Sequence, residues 1–264
     1  MSNYLQLYAV DKVFHTKTGD IQALSNIHLN IENGEFLSVV GPSGCGKSTI
    51  MRIIAGLDKP SNGSVEVNES ELKGIADGAA IVFQKDVLLA WRSVLDNVTL
   101  PLELKGITWF DRSNHQTNRA KALELLESVG LKGFENKYPH ELSGGMRQRV
   151  SICRALIQDP KLLLMDEPFG ALDALTREQM MYDLLKLSNK YKFTTVFITH
   201  SIEEAVFLSD RVIVMSERPG TILKELPIQL TRPRDNHTRS NDIFSENVNE
   251  IRDIFQSQGI LAEN

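Results

Sequence analysis

The chain has 264 residues, 42% of them hydrophobic and 24% charged, with a formal net charge of −5 at pH 7. That length buries a full core, either as one large α/β domain or as a core with a smaller lobe, and the mild acidity argues against a broad nucleic-acid surface. No apolar run approaches the ~18 residues of a membrane span, and the N-terminus lacks a basic region followed by an apolar core, so the sequence predicts a protein that stays in the cytoplasm. The two cysteines, Cys45 and Cys153, have neither a disulfide framework nor metal-ligand spacing, and read as reduced thiols.

Residues 4–40 alternate apolar and polar in short runs, with Asn33-Gly34 as a turn signal. Val13-Phe14 precedes a polar, glycine-containing stretch from His15 to Asp20. The apolar run Phe36 to Val40 predicts a buried strand, and Ile50 to Leu57 predicts a helix. Between them lies Gly41-Pro42-Ser43-Gly44-Cys45-Gly46-Lys47-Ser48-Thr49, which fits G-x-x-x-x-G-K-[ST] in the strand, loop, helix order that a phosphate-binding P-loop requires. Glycines at 41, 44 and 46 are expected to allow positive φ and close approach of backbone N–H groups to phosphate oxygens. A helix starting near Lys47 adds its positive end. Lys47 then reaches the β- and γ-phosphates of a nucleotide, and the Ser48 hydroxyl coordinates Mg²⁺. The competing reading, a glycine-rich turn with a surface lysine, does not account for both flanks. Cys45 has two readings: a thiol activated at a helix N-terminus, or an inert small residue.

Residues 57–63 are dense in turn formers, and Ser64 to Val67 and Ala79 to Phe83 read as short strands, with Gln84 after the second. From 85 to about 157 the pattern is helical: Ala122, Leu126 and Val129 recur at helix spacing, Leu123 and Leu125 widen the stripe, and Gly130 sits where a C-terminal cap belongs. This block is expected to be a helical lobe inserted into the α/β core. Leu162 to Met165, Thr194 to Ile198 and Val212 to Met215 are strand candidates, the first two of the kind buried on both faces of a parallel sheet. Residues 231–264 form a short extension in which Phe244, Val248, Ile251 and Phe255 give an amphipathic helix ending near Gly259. It either packs on the core or offers a partner-binding face.

Leu142-Ser143-Gly144-Gly145-Met146-Arg147-Gln148-Arg149 is the most discriminating stretch. Ser143 is placed as an N-cap and Met146 to Ile157 continues as a helix, so this is a second helix N-terminus suited to an anion. Alone it would more often be only a cap. Together with the P-loop before it and Leu162-Leu163-Leu164-Met165-Asp166-Glu167-Pro168 after it, the chain resembles the ATP-binding cassette (ABC) ATPases over residues 4–225.

That resemblance implies an α/β P-loop NTPase core with a mixed or parallel sheet, an antiparallel N-terminal β part and the inserted helical subdomain, all within residues 1–230. It implies that Phe14, where the family prefers Tyr, stacks on adenine, unless it is an ordinary core aromatic. Gln84 would be the glutamine that senses Mg²⁺ and γ-phosphate, and Asp166 would hold Mg²⁺ through water. Glu167 would be the general base and His200 the switch histidine on the γ-phosphate. Ser143, Gly144, Gly145 and Gln148 would contact ATP bound to a partner subunit, and Asp173, in Ala171-Leu172-Asp173, would contact that partner. The expected activity is Mg²⁺-dependent ATP hydrolysis by a homodimer. With no fused membrane span, second cassette or long coiled coil, the resemblance is to a separate ATPase subunit docking on membrane permeases from the cytoplasmic side. Leu88-Leu89-Ala90-Trp91, Val94 to Val98 and Ser216-Glu217-Arg218-Pro219-Gly220 look like importers of nitrate, sulfonate, taurine or bicarbonate, which also work with an external solute-binding protein. Residues 87–98 would lie near the permease. An exporter ATPase and a nucleotide-gated clamp or adaptor are the alternatives.

Overall fold

The computed structural model describes residues 3–105 and 112–261, without the side chains of residues 112–115. The chain divides into two compact units, residues 1–79 with 193–264, and residues 80–192.

In the first unit, β1 (Asn3–Thr16) and β2 (Gly19–Glu32) form a long antiparallel hairpin. The hairpin continues through β4 (Asn62–Val67) to the two-residue β5 (Ser70–Glu71), in the order β2-β1-β4-β5. The pairing of β1 with β2 shifts register around Ala9, and β2 carries Asn26; both residues have positive φ, 47° and 48°. Such bulges reset the alternation of inward and outward side chains, which is why two fourteen-residue strands read as short runs in the sequence.

A second set of strands holds β3 (Phe36–Val40), β8 (Thr194–Thr199), β9 (Arg211–Met215) and β10 (Ile222–Pro227). β3 pairs in parallel with both β8 and β9, and β10 closes the edge antiparallel to β9, so the sheet is mixed. Every residue of β3 and β8 is buried, which requires the near-continuous apolar runs seen in the sequence. β10 has no such run and was not foreseen from the sequence. The helix α1 (Lys47–Ile54) follows β3, and α6 (Ile202–Leu208) follows β8.

The C-terminal extension packs on this unit. Helix α7 (Asp242–Ser257) buries Phe244, Val248, Ile251 and Phe255, the four residues of the stripe, and meets α6. Gly259 has φ 69° and the Ile260 N–H reaches the Phe255 carbonyl at 2.9 Å, a terminator of the expected kind. Two arginines ahead of α7 complete α6. Arg234, 6% exposed, donates to the carbonyls of Val206, Phe207 and Ser209, and Arg232 donates to that of Leu208. Four successive carbonyls at the end of α6, which the helix itself cannot satisfy, are thereby bonded.

In the second unit, β6 (Ala79–Val82) and β7 (Leu162–Asp166) are neighbours. Helices α2 (Val94–Leu104), α3 (Arg112–Ser128) and α4 (Gly144–Leu156) pack on one another, and α5 (Ala174–Tyr191) packs against α4. The stretch expected to be helical therefore begins at Val94; residues 106–111 of it lie outside the described residues. Ala122, Leu125, Leu126 and Val129 are buried, and Gly130, at φ 73°, ends α3 as expected.

Candidate nucleotide site

The P-loop forms as the sequence predicts, with one correction. Gly44 and Gly46 have positive φ, 77° and 105°, but Gly41 does not. Gly41 is required for space: a Cβ there would lie 2.9 Å from Cys45 Sγ and 3.0 Å from Met215 Cβ. Gly46 needs both its φ and its missing side chain, since a Cβ would meet Leu24 Cδ2 at 2.6 Å and the Ala23 carbonyl oxygen at 2.9 Å.

Lys47 is 6% exposed, and its Nζ donates to the carbonyls of Gly41 at 2.8 Å and Pro42 at 2.9 Å. It is therefore not a surface lysine. Pro42, Gly46 and Thr49 are half-buried, while Ser43, Gly44 and Ser48 are exposed. No side chain caps α1; its N-cap is Gly46. By contrast α2, α4, α5, α6 and α7 are capped by Ser93, Ser143, Asp173, Ser201 and Asn241. Among the described residues α1 is thus a helix whose N-cap position supplies no side chain, at a helix end whose dipole favours an anion.

Cys45 is buried, and burial pushes its thiol above the ordinary value despite the opposing effect of Lys47. The reactive-thiol reading fails for that reason. Cys153 is buried as well and is pushed up to about 12. Phe14 is half-buried on β1, with Lys12 Nζ 5.0 Å from its ring centroid, so it is not a core aromatic. His200 follows β8 immediately and is exposed; Ser201 next to it caps α6.

In the second unit, β7 ends at Asp166, and Asp166 and Glu167 are both half-buried. Glu167 has φ 45°, a left-handed conformation that costs a non-glycine residue roughly 1–3 kcal/mol and is found at sites where geometry overrides local comfort. Gln84, just past β6, donates through Nε2 to Glu167 Oε2 at 3.3 Å. The sequence motifs at 84 and 166–167, separated by some eighty residues, therefore meet.

Helix α4 begins as expected, with Ser143 Oγ accepting from the Met146 N–H at 3.3 Å. Ser143 and Gly144 are exposed, and a Cβ on Gly144 would meet only Arg147, at 3.9 Å. Gly145 is different: a Cβ would lie 2.4 Å from Thr176 Cγ2, so this glycine lets α4 and α5 approach. Gln148 departs from expectation. It is 4% exposed, which removes it from the surface that a second subunit would meet, and its Nε2 has no hydrogen-bond partner among the described residues. Asp173 caps α5 by accepting from the Thr176 N–H at 3.0 Å; bonds from the Thr176 side chain and backbone hold its carboxyl below the usual range.

Two features escaped the sequence reading. The segment after Gln84 is tied to α4: Arg147 Nε lies 2.6 Å from Asp86 Oδ2, and Ser151 and Arg154 donate to the Asp86 carbonyl. Fully buried Asn97 donates to the carbonyls of Leu89, Arg92 and Ser93 and accepts from the Leu89 N–H, which fixes the loop that carries Trp91. Trp91 is 74% exposed, and Phe83, Val87 and Leu104 of the same unit are exposed too.

The site's chemistry suits a nucleoside triphosphate: a glycine loop with no room for a Cβ at positions 41 and 46, a helix with glycine at its N-cap and a cation at its base. Ser48 in the first unit, and Gln84 and Asp166 in the second, each carry a side-chain oxygen of the kind Mg²⁺ accepts beside phosphates and water. Among the described residues no cluster of three His, Cys, Asp or Glu side chains forms a closed metal cage.

The family model described as "ABC transporter" matches residues 24–170. The aliphatic sulfonates import ATP-binding protein SsuB of Bacillus cereus is 40% identical over 252 residues, covering 96% of each chain. The nitrate import ATP-binding protein NrtD of Synechocystis is 45% identical over 241 residues, 91% of this chain and 88% of that one. Among solved structures, the dimeric bacterial ABC transporter cassette MJ0796 superposes with a TM-score of 0.74 at 36% identity, covering 85% of this chain and 99% of the other.

Proposed function

The chain belongs to the ABC transporter family, and from that premise we propose how its residues energise import. It is an ATP-hydrolysing ATP-binding subunit of an ABC importer. In our reading Lys47 and the N–H groups of Gly41 to Thr49 bind the phosphates, and Phe14 stacks on adenine. Ser48, Gln84 and Asp166 would hold Mg²⁺, which when bound would neutralise charge on the phosphates. Glu167 orients the attacking water and accepts its proton, and His200 bonds the γ-phosphate. Ser143, Gly144 and Gly145 of a second subunit close over the nucleotide, with Asp173 at the same contact. ATP then joins two subunits and hydrolysis releases them, a ligand-driven shift between two conformations.

The observation that carries this reading is the contrast at helix N-termini: α1 has a buried lysine and no side-chain cap, while five other helices are capped. The exposed apolar set of Phe83, Val87, Trp91 and Leu104 supports docking on membrane permeases at the cytoplasmic face of the membrane, within a helical lobe spanning about 85–157. No described helix is long and apolar enough to cross a membrane. The cargo class we infer is a small anion such as nitrate, sulfonate, taurine or bicarbonate, delivered by an external solute-binding protein. The import names of the relatives speak against an exporter. Copurification tests this: the expected outcome is a complex with an import permease whose ATPase activity rises when an anion-loaded solute-binding protein is added. Recovery with an export permease, or no ATPase activity in any complex, contradicts it.

A further inference from the structure

The loop Ser216-Glu217-Arg218-Pro219-Gly220, between β9 and β10, lies against the P-loop. Arg218 donates from both Nε and Nη2 to the Gly44 carbonyl oxygen, each at 3.2 Å, and a Cβ on Gly44 would lie 3.3 Å from Arg218 Nη2. The loop is anchored on both sides. Gly220 donates to the Ala23 carbonyl at 2.9 Å and accepts from the Ser25 N–H at 3.0 Å. A Cβ at 220 would be 2.0 Å from the Cys45 carbonyl oxygen, so Gly220 lets the loop touch the P-loop backbone. Ser216 organises the interior: its Oγ donates toward the Glu217 carbonyl and accepts from the Thr221 N–H.

This contact completes a pattern in the P-loop. Lys47 takes the carbonyls of Gly41 and Pro42, and Arg218 takes that of Gly44. Three carbonyl dipoles, whose negative ends would repel a phosphate, are each turned onto a cation. In a trans peptide the C=O and the N–H point in opposite directions. Drawing the Gly44 oxygen onto Arg218 therefore aims the Cys45 N–H the other way, where it makes a long bond, 3.4 Å to the Pro42 carbonyl.

We propose that Arg218 is a positioning residue for nucleotide binding: from β9–β10 it holds the Gly44–Cys45 peptide with its carbonyl away from the phosphates and its N–H toward them. This rests on the reading of Gly41 to Thr49 as the phosphate site. Arg218 acts through the loop backbone and takes no part in the chemical step.

The test compares wild type with Arg218→Ala, Arg218→Lys and Lys47→Ala, using binding of fluorescent MANT-ATP and MANT-ADP and steady-state ATPase kinetics. Arg218→Ala is expected to weaken both nucleotides about fivefold, the loss of one solvent-exposed charge-assisted bond, and to raise KM while kcat stays within about twofold. Its unfolding midpoint without nucleotide is expected to match wild type, and Arg218→Lys to regain part of the affinity. Unchanged affinity in Arg218→Ala overturns the proposal, as does a nucleotide-free midpoint that falls with the affinity, or a lysine variant no better than alanine. If Lys47→Ala binds normally, the phosphate-site reading fails; if it loses binding while Arg218→Ala does not, the inference about Arg218 alone fails.

Discussion

At the scale of single residues, the P-loop pattern says which side chains matter but not how each is used. Gly41, Gly44 and Gly46 look equivalent in sequence; in the fold Gly41 is a matter of space, Gly44 of backbone conformation and Gly46 of both. Gln148 sits one turn into a helix whose start is exposed, and helical rotation carries it inside. Cys45 illustrates the same limit. A helix N-terminus and a neighbouring lysine lower a thiol pKa only when the thiol is accessible, and accessibility is a tertiary property. With both thiols buried and raised, iodoacetamide at pH 7.5 should leave the folded protein unmodified by intact mass, and both cysteines should react once it is denatured. Rapid modification of Cys45 alone, blocked by ATP, would contradict the burial argument.

Elements with a strong period were legible. The 4, 3, 4 spacing of Phe244, Val248, Ile251 and Phe255 gave α7, and the buried runs gave β3, β7 and β8, because burial on one face or on both leaves a pattern in a short window. β10 and β5 were not legible: one is an edge strand with Lys224 and Glu225 at its centre, the other is two residues long. Nor could the sequence reveal that the extension finishes α6, since Arg234 bonds carbonyls 25 to 28 residues earlier in the chain. Burial lowers the Arg234 pKa to about 10, with nearby Arg232 adding to the effect, so the guanidinium stays charged at neutral pH and its bonds to the helix end stay charge-assisted. Arg234→Ala strips three carbonyls of α6 of this partner in a buried setting. The expected loss is about 2–4 kcal/mol in urea unfolding. A loss under ~0.5 kcal/mol would mean that water replaces the arginine and that the extension does not brace α6. Because α6 begins two residues after His200, a loosened α6 should also lower ATPase activity.

At the scale of the molecule, the motifs were legible as an ordered set long before any one of them was convincing alone. Ser143-Gly144-Gly145 is an ordinary helix start until a P-loop precedes it and Asp166-Glu167 follows. The fold then adds what order cannot: Gln84 bonded to Glu167, Asp86 bonded to Arg147, and Glu167 held at φ 45°. In the proposed cycle Glu167 drives the hydrolysis that separates two ATP-joined subunits. Glu167→Gln keeps the size and a hydrogen-bonding oxygen of the side chain but removes its basicity. Phosphate release and light-scattering mass, measured on the same purified variant with Mg²⁺ and ATP, test this most directly. Hydrolysis is expected to fall at least ~100-fold, with a stable species of twice the 29.6 kDa chain mass. Hydrolysis at the wild-type rate, or a variant that stays monomeric with ATP bound, would contradict it.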